Sequence, residues 1–136
     1  MQLPNRLPGL RALTVLFAVY AVVWIVLEGS LIRAVLLASS SSVLAGIYFL
    51  QRWLAGRSLR LPLWLALSAT LGVLIGFSSS VLTLVAMALK TGLHAHGPEF
   101  TTQQIDWVVA QIPWWTSAGL LAGVGLGLIA AAISKG

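Results

Sequence analysis

Four long apolar runs separated by short polar breaks organise the chain, at about 10–27, 31–54, 61–89 and 113–133. A helix needs roughly 20 residues to cross a hydrocarbon core of about 30 Å, and each run approaches or exceeds that length. Only Glu28, Gly29 and Ser30 divide the first two runs, which predicts a tight antiparallel hairpin with Ser30 as the N-cap of the second helix. Pro62 and Pro113 stand where a first helical turn tolerates proline. The expected fold is all-α and membrane-integral: one domain over 1–136 with four transmembrane helices.

The break between the third and fourth runs has a pattern of its own. Ile105, Val108, Val109 and Ile112 fall at i, i+3, i+4 and i+7, one face of a helix. Thr101 and Gln104 have the spacing of a capping box. This predicts a short amphipathic surface helix over 102–111, with Trp107 at headgroup level. Trp24, Trp114 and Trp115 on the outer side, and Trp53 and Trp64 on the inner side, read as an aromatic belt.

Within the runs, small residues recur every fourth position. The second has Ala34, Ala38, Ser42 and Gly46; the third has Ser68, Gly72, Gly76 and Ser80; the fourth has Gly119, Gly123, Gly127 and Ala131. Lipid tails are as apolar as leucine, so membrane helices associate by close backbone approach over such residues. The three series predict that spans two, three and four form one tight unit. The first span has no such series. It offers Phe17, Tyr20 and Trp24, which suit lipid, a pigment tail or a partner's helix.

Charge adds orientation. Only 8% of residues are charged and 59% are hydrophobic, which leaves too little polar surface for a soluble domain. Arg6, Arg11, Arg52, Arg57, Arg60 and Lys135 fall on one side of the four spans; Arg33 and Lys90 fall on the other. Six against two predicts an N-in, C-in topology, with both termini on the cytoplasmic or stromal side of an inner or thylakoid-type membrane. The net charge of +5 comes from scattered single residues, which points to topology and not to nucleic acid. There is no cysteine, so thiolate chemistry and disulfides are excluded.

The candidate chemistry is sparse. His94, His96 and Glu99 in the outer loop are the residues that can ligate a metal or a pigment; the competing reading is a turn made by Gly97 and Pro98. Glu28 and Arg33 can pair across the first hairpin. The runs Ser39–Ser42 and Ser78–Ser80 suggest either a polar path or hydroxyls bonded to their own helix. Ionisable groups at working depth are the usual mark of membrane enzymes and pumps, and the spans are nearly free of them. No cofactor is required by the sequence, although lipid, carotenoid or chlorophyll contact suits the first span. The expectation is a non-enzymatic accessory or assembly subunit of a larger, energy-transducing membrane complex, with other integral membrane subunits and lipid as partners. The runner-up is a small homo-oligomeric transporter or channel with a serine-lined path.

Overall fold

In the computed structural model, residues 7–27, 29–93, 97 and 99–133 are described. They form four helices: α1 (Leu10–Val26), α2 (Leu31–Leu54), α3 (Leu61–Leu93) and α4 (Thr102–Ile133). Helices α2, α3 and α4 are long and apolar enough to cross a membrane. Helix α1 is apolar too, but its 17 residues reach only about 25 Å at 1.5 Å per residue.

Local chemistry sets the helix ends. Gly9 takes the left-handed conformation, with φ of 80°, and turns the chain into α1 without a side-chain cap. Ser30 occupies the N-cap position of α2 in extended backbone, but contrary to expectation its hydroxyl makes no capping bond. The capping box at Thr101 does form. The amide of Thr101 donates to Gln104 Oε1 at 2.9 Å, and the amide of Gln104 donates to Thr101 Oγ1 at 3.3 Å.

The expected separate surface helix over 102–111 is corrected. It is the first third of α4, continuous with the fourth apolar run, and Pro113 lies inside the helix. Two features explain this. Helix α3 runs on to Leu93 and so gives the N-terminal part of α4 a wall to pack on. Val108 points into that wall and is fully buried, while Ile105 and Val109 remain exposed. Proline is tolerated within long membrane helices because neighbouring groups re-satisfy the backbone. Thr116 and Ser117, just after it, donate to the carbonyls of Ile112 and Pro113 at 2.7 and 2.8 Å, while the carbonyl that loses its amide partner to the proline is that of Val109.

Helices α3 and α4 pack along their length at backbone contact. A methyl group added at Gly72 would sit 2.9 Å from the Gly119 carbonyl carbon and 3.0 Å from Gly123 Cα. One added at Gly76 would meet the backbone of Trp115 and Thr116, and one at Gly123 the backbone of Ser68. The pair is antiparallel, since lower numbers on one helix meet higher numbers on the other. Helix α2 covers another side of α3: Gly46 lies on Ile75 and Leu71, and Ser78 donates to Ser42 Oγ at 3.0 Å.

Helix α1 sits against α2 more loosely, and two sets of positions on it behave differently. Phe17, Tyr20 and Trp24, spaced 3 and 4 apart, turn toward the body; the first two line a groove against α2, and Trp24 is buried. Val15, Val19, Val22 and Val26, spaced 4, 3 and 4 apart, lie on the outside and are exposed. The core of the molecule is a cluster of Trp24, Ala34, Ala86, Met87, Phe100 and Val108 at the end where α1 finishes and α4 begins.

Candidate functional site

The inward stripe of α3 begins with glycine and ends with a cation. Gly76, Ser80, Thr83, Met87 and Lys90 follow one another at steps of 4, 3, 4 and 3, and all are buried. This is the spacing of a helix seam. Lys90 is 0% exposed. Its Nζ donates to the carbonyl oxygens of Trp24 at 3.1 Å and Ile25 at 2.6 Å, and it lies 5.2 Å from the centre of the Trp24 ring.

The last carbonyls of a helix have no partner within it, and the aligned peptide dipoles make that end partly negative. Lys90 therefore closes the C-terminus of α1 from another helix, with a cation–π contact added. Two of the three ammonium donors are committed to carbonyls, so the arrangement works as a clasp between α1 and α3. A lysine that ends an apolar run ordinarily anchors at the membrane interface; Lys90 is buried inside the bundle instead. The expectation for Trp24 as part of an outward lipid or partner face is corrected too, because the ring is 3% exposed and belongs to the core cluster.

Phe17 and Tyr20 border the groove between α1 and α2, and the Tyr20 hydroxyl donates to the Arg33 carbonyl at 3.1 Å. The groove measures about 430 Å³ and has Ser39 and Ser40 in its wall. Trp64, expected in the inner aromatic belt, is instead buried between α3 and α4, and its Nε1 donates to the Gly127 carbonyl at 2.9 Å.

Glu99 packs against the backbone of Gly29, with its side chain filling the space a Cβ there would need. His94, His96 and Glu28 lie outside the described residues. Among the described residues no three histidine, aspartate or glutamate side chains gather in a way that could hold a metal ion. The serines mostly bond backward along their own helix. Ser41 donates to Leu37, Ser42 to Ala38, Ser79 to Ile75 and Thr83 to Ser79, each a carbonyl one turn back at 2.7–3.0 Å. Ser80 Oγ is buried and has no hydrogen-bond partner among the described residues.

The small-residue positions divide by partner. Ser68, Gly72 and Gly76 face Gly119, Gly123 and Gly127 across α3 and α4. Ala34, Ala38, Ser42 and Gly46 are buried along α2. The clasp was missed in the sequence, although a signal was present: the seam spacing that includes Gly76 and Ser80 continues without interruption to Lys90. No protein-family model, no curated protein and no solved structure matches this chain.

Proposed function

We propose that the chain is a four-span, non-catalytic accessory or assembly subunit of a larger membrane complex, its termini on the cytoplasmic or stromal side. The observation that supports this reading is the outward seam of α1. Val15, Val19, Val22 and Val26 repeat at coiled-coil spacing and have no partner in the chain among the described residues. A helix that offers one seam to its own bundle and a second one outward is suited to join two bodies. Leu27 continues the apolar run beyond α1, which favours a fourth, shorter crossing. The cationic residues bunched around one end favour the N-in, C-in orientation.

A homo-oligomeric transporter with a serine-lined path is the competing reading. It draws on the Ser42–Ser78 contact and on Ser80. It is weakened by Ser41, Ser79 and Thr83, whose hydroxyls are engaged by carbonyls of their own helices.

Photo-crosslinking from position 19 or 22 in native membranes, followed by a native gel in mild detergent, tests the proposal. The expected product joins this chain to a different integral membrane protein in a high-mass band. Products containing only copies of this chain, together with solute flux in liposomes, would overturn it in favour of the transporter.

A further inference from the structure

The end of the bundle opposite the Lys90 clasp carries its own chemistry. Arg11, Arg52, Arg57 and Arg60 are all exposed there. None of their guanidinium groups has a hydrogen bond or an ion pair among the described residues. The described acids, Glu99 and Asp106, are at the other end, and Glu28 stands between α1 and α2 in the sequence. Four positive charges therefore surround the ends of apolar helices with no carboxylate side chain beside them among the described residues.

Two of the four flank one contact between α1 and α2. Thr14 Oγ1 and Tyr48 Oη are 2.9 Å apart and tie α1 to α2. Arg11 lies three residues before Thr14 on α1, and Arg52 lies four residues after Tyr48 on α2. Residues three and four apart share a helix face. Because the helices run in opposite directions, both arginines stand one turn beyond the bridge, toward the same end.

Below Arg52 the surface of α2 is concave. A pocket of about 510 Å³ is lined by Ala45, Tyr48, Phe49, Gln51, Arg52 and Trp53. Phe49 and Trp53 form a tilted aromatic pair with ring centres 6.4 Å apart. An apolar wall that ends in exposed guanidinium groups matches a molecule with a hydrocarbon chain and an anionic head. Arginine suits phosphate because its planar fork can give two parallel hydrogen bonds.

We propose that Arg11 and Arg52 hold the phosphate of one anionic phospholipid, whose acyl chain lies along Phe49 and Trp53 in the α2 pocket. The occupant is a lipid and not a free phosphate, since the pocket below the arginines is apolar and lies where the spanning helices end. This site is independent of any protein partner of α1.

The test uses the purified full chain in vesicles of equal phosphatidylglycerol and phosphatidylcholine, extracted gently and weighed by native mass spectrometry. The expected result is retention of phosphatidylglycerol over phosphatidylcholine. R11Q and R52Q should each reduce the retained phosphatidylglycerol by about ten-fold or more, the effect of losing a charge-assisted hydrogen bond to phosphate. R57Q and R60Q should each reduce it by no more than about five-fold, the effect of losing one basic residue from the generalised attraction to an anionic surface. R52K should fall between R52Q and the parent chain, and circular dichroism of each variant separates lipid loss from unfolding. If R52Q does not fold, R11Q reads the same phosphate from the other helix. Equal retention of the two lipids, or equal losses for all four arginine variants, would overturn the site.

Discussion

Lys90 Nζ donates to the Ile25 carbonyl oxygen at 2.6 Å, so a lysine near the end of α3 closes the last turn of α1. The contact joins two helices that have little else between them. Substituting Lys90→Met keeps an apolar stem and removes both hydrogen bonds and the cation over Trp24. Truncation that strands buried acceptors costs about 1–3 kcal/mol. K90M is therefore expected to lower thermal stability in detergent by that amount and to loosen α1 first. Amide hydrogen exchange along α1 should speed up in K90M relative to the parent chain, ahead of exchange in α3 and α4. Unchanged stability with unchanged exchange in α1 would show that the clasp has no structural weight.

The α3–α4 contact makes opposite predictions for glycines of one helix pair. At Gly72 an added methyl meets the backbone of Gly119 and Gly123, which cannot rotate away. G72A should force the helices apart and cost about 1–3 kcal/mol, as overpacking does. At Gly125 an added methyl meets nothing within 4 Å. G125A should stabilise by about 0.5–1 kcal/mol through the helix propensity of alanine. Thermal unfolding of both variants in one detergent decides this, and equal shifts would contradict the packing geometry.

These contrasts also show what the sequence made legible. The apolar runs become three long helices and one short one, because run length and helix rise are local properties. The four-residue spacing of small residues is likewise a property of one helix, and on α3 and α4 it marks the faces that meet. Lys90 was harder to read. A lone lysine at the end of an apolar run looks like a group bound for water, and its burial depends on carbonyls supplied by another helix. Trp24 was misread for the same reason, since its contact is with that lysine. Pro113 fits both a first turn and a helix interior, and the wall that α3 provides beyond Leu89 decided between them. The histidine pair lies outside the described residues, so the structure adds nothing to that reading.

Trp64 and Trp114 separate a structural tryptophan from a lipid-facing one. Trp64 Nε1 donates to the Gly127 carbonyl, whereas Trp114 is 71% exposed. W64F retains most of the aromatic volume and loses the hydrogen bond, so it should cost about 0.5–1.5 kcal/mol. W114F should leave unfolding unchanged to within about 0.5 kcal/mol, as exposed substitutions usually do. The same detergent melts report both. In addition, tryptophan fluorescence quenching by brominated lipid should fall in W114F and remain in W64F.

Pro113 breaks the hydrogen-bond ladder of a helix that nevertheless continues through it. Proline has no amide to give to the Val109 carbonyl, and its ring crowds that oxygen. In P113A the new amide can complete the ladder, which predicts a gain in stability of about 1–3 kcal/mol, against the roughly 3 kcal/mol that an interior proline costs. The gain has one competitor. Helices kink at proline, and Val108, five residues before Pro113, is fully buried in the core cluster. If the kink is what seats Val108, straightening α4 would withdraw it and P113A would melt earlier than the parent chain. Hydrogen exchange at residue 113 shows whether the new bond forms, and the melting temperature shows which effect dominates. A protected amide with a raised melting temperature is the expected pair of results. A protected amide with a lowered one would identify Pro113 as the residue that directs the N-terminal third of α4 onto α3.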